Sequence, residues 1–255
     1  MSMALRTGLA AAGFMSGALL LGADEGGKPP CCPSGVLAGT VIFEGDPVPE
    51  PAKCPVTKDN EKCECDAKDP SKRESFKLDE SLVVDRGSKG IAHAVVWLRG
   101  VEGGPDVKDP TIDQHGCQFV PHVLVIKKGQ HVKILNPDGI SHNYHWLSKE
   151  NPPDNKTIAK FKKELTVPSE GGFEKPEFIR ATCDIHPWMT GWIAVMENGF
   201  AAVTDGKGAF KIDGIPPGKY TLACWQETLA KEPVVQEITI EAGKPASARF
   251  ALSIK

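Results

Sequence analysis

The feature that most constrains the fold is a short loop, Cys183-Asp-Ile-His186-Pro-Trp-Met189, enclosed by two apolar segments. Residues 178–182 before the loop and residues 191–196 after it contain the β-branched and aromatic residues that favour strands. The pattern therefore predicts two β-strands joined by a loop that carries a thiol, an imidazole and a thioether.

A second imidazole is predicted to come from a strand end at His142. This residue follows a β-rich segment, residues 123–135, and a Pro-Asp-Gly turn. A thiolate, two imidazoles and a weak thioether are the ligands of blue-copper centres. The predicted metal ligands are therefore His142, Cys183, His186 and Met189. The alternative is a buried Cys, a surface His and a Met that fills a gap in the core.

On these motifs, residues 111–197 resemble a cupredoxin, and the C-x2-H-x2-M spacing is similar to that of the amicyanin-like, methylamine-utilisation type of blue copper protein. The resemblance implies a Greek-key β-sandwich that holds one type 1 copper ion. It implies that His142, Cys183 and His186 are equatorial ligands and that Met189 is the axial ligand. It also implies that His145, in the H-N-x-H motif, is not a ligand.

The same resemblance leads to expectations for the neighbours of the ligands. Asn143 is expected to bond the cysteine sulfur or to hold the two ligand loops together, since such contacts tune a metal. Pro187 has no N–H to donate toward that sulfur. Trp188 and Trp192 are expected to form an apolar collar around His186, with an exposed imidazole edge as the electron exit. Packing at the ends of the sheet is the alternative for both indoles.

The flanking segments predict a second β-sandwich. The motifs T-D-x-x-G-x-F-x-I and P-P-G-x-Y-x-L in residues 204–222 resemble the carboxypeptidase-regulatory-like, or transthyretin-like, fold. Pieces of the same pattern, G-x-V followed by G-x-P-V-P, occur in residues 39–49. Residues 198–255 alone are too few for a seven-stranded sandwich.

We therefore predict an all-β protein with a discontinuous domain. Residues 35–104 and 198–255 would form one sandwich, and the cupredoxin would be inserted as residues 105–197. The alternative is that residues 36–98 extend the cupredoxin sheet and leave a short C-terminal appendage.

The N-terminus has the pattern of a secretory signal. Arg6 precedes an apolar run over residues 8–22, and Ala23 offers a cleavage point. A bilayer span needs about 20 apolar residues, so this run is short for an anchor, although a retained anchor is the alternative. We expect residues 1–23 to be a signal peptide and residues 24–34 a linker. The mature protein would then be periplasmic or secreted to the cell surface, without a membrane span.

The chain has eight Cys, and export implies an oxidising compartment. Cys54, Cys63 and Cys65 lie in a charged segment, where one disulfide is expected and a small thiolate metal site is the alternative. Spacing alone does not determine connectivity. The other cysteines whose partners stay open are Cys31, Cys32, Cys117 and Cys224.

Two further groups of residues allow metal or structural roles. Cys117, His122 and His115 are close enough in sequence for a second copper site. The alternative is that Cys117 packs in the barrel or pairs with another Cys while both His face solvent. His93, in a strand predicted over residues 91–98, is interpreted as a structural His.

Composition narrows the function. The formal net charge of −3 and the lack of a long basic run argue against nucleic acid as a partner. No nucleophile elbow, phosphate-binding Gly loop or haem-attachment pattern occurs in the sequence, so we expect no enzyme activity. The most basic segment, residues 156–163, is interpreted as a solvated loop or as a docking face for an acidic redox partner.

The function predicted from the sequence is one-electron transfer between redox protein partners. A copper-handling protein without a redox partner and a structural β-sandwich on the cell surface are the alternatives. An oxidase or nitrite reductase would need His ligands from a second cupredoxin domain, a pattern that the sequence does not show.

Overall fold

The computed structural model describes residues 34–59, 63 and 76–254. In this part of the chain the elements with described bounds are eighteen β-strands, which confirms the all-β class. In chain order they are β1 (Gly35–Phe43), β2 (Lys53–Pro55), β3 (Phe76–Leu78), β4 (Val95–Arg99), β5 (Thr111–His115), β6 (Gln118–Val120), β7 (Val123–Lys127), β8 (Val132–Leu135), β9 (His142–Leu147), β10 (Asp154–Ile158), β11 (Glu164–Val167), β12 (Glu177–Thr182), β13 (Thr190–Met196), β14 (Ala201–Val203), β15 (Ala209–Ile215), β16 (Gly218–Gln226), β17 (Ala230–Ile240) and β18 (Pro245–Leu252).

The predicted signal peptide and nearly all of the predicted linker lie outside the described residues, as do Cys31, Cys32 and Cys65. Among the residues that are described, no helix has the length and apolar character needed to cross a bilayer.

Seven strands, β1, β4 and β14–β18, form what we term the terminal sandwich. A three-stranded sheet in the order β15-β1-β18 shares a core with a four-stranded sheet in the order β14-β4-β16-β17. Along β1 the buried residues Leu37, Val41 and Phe43 alternate with more exposed neighbours, as expected for a strand with one face in a core. They pack in the same cluster as Val96 and Leu98 of β4.

Nine strands, β5–β13, form what we term the central sandwich. A five-stranded sheet in the order β10-β9-β12-β13-β7 packs on a four-stranded sheet in the order β11-β8-β5-β6. Ile112 and Phe119 of the smaller sheet share a core with Trp146, Ile179 and Ile193 of the larger sheet. This sandwich carries the predicted ligand loop.

A third apolar cluster joins the two sandwiches. Val123 of β7 packs with Val95 of β4, and the rings of Phe178 and Trp225 are stacked with their centroids 4.2 Å apart. The ring of Trp192 meets that of Trp225 edge-on at 5.0 Å. Because β13 is covered on both faces, its sequence is an almost continuous apolar run.

The terminal sandwich is built from two separate parts of the chain. Strand β4 pairs with β14 and β16, although all of β5–β13 lies between β4 and β14 in sequence. The description of the central strands as an inserted domain, with boundaries at residues 104/105 and 197/198, stays a prediction.

The strand predicted over residues 91–98 begins later than expected, at Val95. His93 has a φ of 62° and lies in a turn, so it does not share a strand face with its neighbours. Thr204 stabilises this turn, because its Oγ1 accepts a hydrogen bond from the Ala94 amide at 2.9 Å and donates one to the Ile91 carbonyl at 2.7 Å.

The disulfide expected among Cys54, Cys63 and Cys65 is wrong in its pairing. Cys63 is bonded to Cys117, which is 54 positions away, and Cys54 is a free, half-buried thiol. The reason is that Cys63 is buried in the core of the central sandwich, where it meets the turn between β5 and β6. Cys224 is a second free thiol, in the core of the terminal sandwich, and burial raises its pKa.

Candidate metal centre

Strand pairing places the predicted ligands at one end of the five-stranded sheet. His142 is the first residue of β9, and Cys183 directly follows β12. These strands are antiparallel with Thr182 opposite His145, so the end of β12 meets the start of β9. His186 lies in the turn that follows, and the chain then returns as β13.

Two backbone hydrogen bonds close the ligand loop. The Cys183 N–H donates to the Met189 carbonyl at 3.1 Å, and the Met189 N–H donates to the His186 carbonyl at 2.9 Å. The thiol and the thioether therefore lie at the two hydrogen-bonded ends of the loop, and the imidazole lies between them in sequence.

The predicted nitrogen and sulfur ligands converge in a buried place. Nδ1 of His142 lies 2.9 Å from Nδ1 of His186, and the latter lies 3.8 Å from Sγ of Cys183. One ligand atom from each of the three residues lies within 4.8 Å of the others. All three residues are at most 1% exposed, and Met189, also 1% exposed, belongs to the same core.

Each imidazole has its other ring nitrogen bonded to a carboxylate. Nε2 of His142 lies 2.9 Å from Oδ2 of Asp138, and Nε2 of His186 lies 3.0 Å from Oδ2 of Asp59. Asp138 is itself fixed, because it accepts hydrogen bonds from two backbone amides of the β5–β6 turn, each at 2.8 Å.

Both carboxylates were missed by the sequence reasoning. Asp138 was interpreted as a turn residue, although its position four residues before His142 was an available signal. Asp59 lies 127 positions from His186, in a charged segment without periodicity, and no local pattern points to it.

This arrangement fits a soft metal cation. An ionised carboxylate only accepts hydrogen bonds, so each Nε2 carries a proton, and in the neutral ring each Nδ1 presents a lone pair. Two lone pairs directed at each other across 2.9 Å in a buried place require a shared proton or a cation. Carboxylate–imidazole pairs orient ligands in this way around bound metals, and a thiolate with two imidazoles suits copper.

The charges of the site favour a thiolate. Burial raises the pKa of the Cys183 thiol, but hydrogen bonds with His142 and His186 outweigh burial and lower this pKa to about 6. Burial lowers the pKa of His142, whereas hydrogen bonds with Asp138 and Cys183 raise it to about 9. The two shifts favour a thiolate beside an imidazolium in the metal-free site, and a bound cation would displace the imidazolium proton.

Asn143 holds the two ligand segments together, which confirms one of the two expectations for this residue. Its Oδ1 accepts hydrogen bonds from the amides of Asp184 at 2.8 Å and Ile185 at 3.2 Å. The same oxygen lies 3.3 Å from Sγ of Cys183, and Nδ2 donates to Asn155 Oδ1 at 2.8 Å. The residue after the first imidazole thus fixes the loop that carries the second.

The expectation of an exposed His186 edge is wrong, because the imidazole is 0% exposed. Asp59 bonds its outer nitrogen, and the sulfurs of Cys63 and Cys117 lie within 4.8 Å of a ring nitrogen. Trp188 packs 5.3 Å from the ring and donates a hydrogen bond to the Cys117 carbonyl at 3.1 Å. Asp59, Trp188 and the Cys63–Cys117 disulfide therefore cover this edge of the imidazole, and the disulfide links the two chain segments that form the cover.

Only one of the two predicted collar indoles contacts His186. Trp192 lies in the cluster between the sandwiches, where its Nε1 donates to Oε2 of Glu227 at 2.8 Å. Its position on β13, on the face turned toward the terminal sandwich, separates it from the ligand loop.

The second copper site considered around Cys117 is wrong, because this Cys is in the disulfide. His115 is exposed as the alternative expected, but His122 is 2% exposed. Its Nδ1 lies 3.1 Å from the Thr190 carbonyl and its Nε2 lies 2.5 Å from Oε1 of Glu227. Both ring nitrogens are thus engaged in structural contacts.

Comparison with protein families gives one partial match. The family model described as polysaccharide lyase family 4, domain II, matches residues 168–248, which span the end of the central strands and much of the terminal ones. No curated protein matches the chain. The resemblance of the flanking segments to carboxypeptidase-regulatory-like domains stays a prediction.

Solved structures of cupredoxins are similar to part of the chain. A mutant of amicyanin in its Cu(I) form is 17% identical, with a TM-score of 0.30, over 40% of this chain and 98% of that one. The purple cupredoxin from Nitrosopumilus maritimus is 20% identical, with a TM-score of 0.29, over 34% and 100%. A copper-containing nitrite reductase from Thermus scotoductus is 23% identical, with a TM-score of 0.31, over 48% of this chain and 27% of the enzyme.

Proposed function

We propose that this protein is a type 1 copper protein that carries single electrons. His142, Cys183 and His186 would be the equatorial ligands and Met189 the axial ligand of one copper ion. The observation that carries the proposal is the convergence of two imidazole Nδ1 atoms and the Cys183 Sγ in a fully buried place. Copper bound there would supply one-electron chemistry between Cu(I) and Cu(II).

The protein's own residues hold the proposed ligands in a fixed geometry and exclude water from the site. The proposed ligands lie on or between β9, β12 and β13. Strand β12 is hydrogen-bonded to both of the others, and Asn143 fixes the connection. Asp59 and Asp138 hold the two rings in one tautomer. A site that is held in one geometry in both oxidation states needs little rearrangement when an electron moves.

Burial favours a carrier over an enzyme. The three nitrogen and sulfur ligands are at most 1% exposed, so a substrate has no direct path to them, whereas an electron can tunnel through a packed protein. We further propose that the protein acts outside the cytoplasm with redox proteins as partners.

The proposal is tested by titrating the protein with Cu(II) while recording visible and EPR spectra. We expect an intense blue charge-transfer band and a narrow copper hyperfine splitting, at one equivalent of copper. Cys183→Ser should abolish both features, whereas Cys224→Ser, which changes another buried thiol, should leave them unchanged. A colourless protein, or weak copper bands that Cys183→Ser does not alter, would contradict the proposal.

Copper handling without a redox partner is the rival function. The cover made by Asp59 and the Cys63–Cys117 disulfide over His186 favours retention of the metal. Release of Cu(I) to an excess of a chelator distinguishes the two roles. Release over hours agrees with an electron carrier, and release within seconds would favour handling.

A further inference from the structure

Electrons have to cross a protein cover at either imidazole, because His142 is 0% exposed and so is His186. Asp59, Trp188 and the Cys63–Cys117 disulfide lie between the His186 imidazole and solvent. Any exchange with a partner protein at that edge would have to pass through this cover. His142 has a cover of its own in Asp138, whose side chain is 6% exposed, so what distinguishes the His142 side is the surface outside that cover.

The surface beside His142 is formed by residues 159–163, which we term the lysine turn. Ile158, which leads into this turn, is paired with His142 between β10 and β9. The Lys160 amide donates to Oγ of Ser141 at 3.3 Å, and the Asn136 amide donates to the Lys163 carbonyl at 2.9 Å. The lysine turn is thus fixed to both ends of the segment that delivers His142.

The chemistry of the lysine turn is that of a protein-binding surface. Phe161 is 84% exposed, the largest exposed fraction among the large hydrophobic residues described. Lys160, Lys162 and Lys163 are its neighbours in sequence, are all exposed, and form no ion pair with any described residue. Exposed aromatic residues with a charged rim mark interaction sites, and unpaired like charges speed the encounter with an opposite surface.

We propose that the lysine turn is the docking surface for an acidic redox protein, and that electrons enter and leave on the His142 side of the site. This inference rests on the proposed function. Phe161 supplies the apolar centre of the contact, and the three lysines supply attraction and orientation.

The first test uses small oxidants of opposite charge with the reduced copper protein. Hexacyanoferrate(III) takes one electron from the protein and becomes hexacyanoferrate(II), and its negative charge should draw it to the lysine turn. At low ionic strength, the K160Q/K162Q/K163Q variant should react about tenfold more slowly. The cationic tris(phenanthroline)cobalt(III) should show no such loss. The matched control, K207Q/K219Q/K231Q, removes three exposed lysines of the terminal sandwich.

The second test is electron self-exchange between copies of the protein, measured by NMR in partly oxidised samples. Two lysine turns repel each other when they meet, so K160Q/K162Q/K163Q should exchange faster than the control variant at low salt. The difference should vanish at high salt, because the Debye length shrinks from about 30 Å at 0.01 M to about 3 Å at 1 M. Phe161→Ser should slow self-exchange about tenfold through loss of the apolar contact.

The outcomes separate the two proposals. A blue protein whose rates respond equally to both triple variants would overturn the docking surface and leave the copper site intact. Absence of a type 1 copper spectrum in the unaltered protein would overturn both. The docking surface would be established if K160Q/K162Q/K163Q alone reacted more slowly with hexacyanoferrate(III) and exchanged electrons faster between its own copies.

Discussion

Nε2 of His122 lies 2.5 Å from Oε1 of Glu227, and this contact joins the central sandwich to the terminal sandwich across 105 positions of sequence. Nδ1 of the same ring lies 3.1 Å from the carbonyl of Thr190, the residue that follows Met189. The other oxygen of Glu227 accepts a hydrogen bond from Trp192. The pair therefore anchors the start of β13 directly behind the ligand loop.

This pair should make stability depend on pH. Burial lowers the pKa of His122, but the hydrogen bond and charge of Glu227, with the charge of Glu80, raise it above its usual value of about 6.5. Protonation then favours the folded state. The stabilisation is complete below the unfolded-state pKa and is lost as pH rises through the higher folded-state pKa.

Glu227→Gln isolates this effect in the copper-free protein. We expect a loss of about 2 kcal/mol in the free energy of unfolding near pH 6, with the difference from wild type shrinking as pH rises. Urea unfolding from pH 5 to pH 9 measures it, with Glu232→Gln, at an exposed site, as the control.

The charges and dipoles that face His122 are Glu80, Glu227, the Thr190 carbonyl and His93. Burial lowers the pKa of His93 to about 4. Parallel pH curves for wild type and Glu227→Gln would refute the assignment.

Asp138→Asn should weaken binding of the oxidised metal. A carboxylate behind an imidazole raises its basicity and favours the more positive Cu(II) state, so its loss should lower Cu(II) affinity about 10- to 100-fold and raise the reduction potential. Competition titration and voltammetry measure the two quantities. Asp59→Asn should act in the same direction but less strongly, because its side chain is 46% exposed. Asp213→Asn, on the surface of β15, should change neither.

Asn143→Ala should destabilise the ligand loop. The amides of Asp184 and Ile185 would lose their acceptor, at a cost of about 1–3 kcal/mol in unfolding free energy. Chemical unfolding of the copper-free protein measures this loss. Asn143→Asp keeps the acceptor oxygen but loses the Nδ2 donor to Asn155 and Asp184, so it should recover only part of the stability. A loss in Asn143→Ala well below this range would show that the acceptor does not hold the loop.

Removal of the Cys63–Cys117 disulfide should cost stability and expose His186. Cross-links of this length stabilise by about 4 kcal/mol in the chain-entropy account, so Cys63→Ser should lower the unfolding free energy by that order. It should also speed release of Cu(I) to a chelator, since the cover would no longer be tied down. Cys54→Ser, at a free thiol, is the matched control. Unchanged release from Cys63→Ser would show that the cover does not limit access.

Local sequence patterns were sufficient to predict the strands that carry the candidate metal site. The two apolar segments around the loop are β12 and β13, within about one residue of their expected bounds, and the strand end at His142 is the first residue of β9. Alternation and turn chemistry determine these elements over short stretches of chain. The convergence of three ligands followed from the order of neighbouring strands.

Contacts between distant segments could not be predicted in the same way. The bond from Asp59 to His186 and the Cys63–Cys117 disulfide bring a charged segment without periodicity onto the central sandwich. No spacing rule links such residues, because their proximity depends on the path of the whole chain. His122 was placed at the surface for the same reason, since its partner Glu227 belongs to the other sandwich.

The burial of β13 on both faces determines whether the central sandwich can exist without the terminal one. One face of the strand lines the core around the ligands, and the other packs against the terminal sandwich through Ala194 and Met196. The central sandwich produced on its own would expose that second face, with Trp192 and Phe178, to water. A gene that encoded the central sandwich alone would therefore give a protein with an exposed apolar face directly behind the candidate metal site.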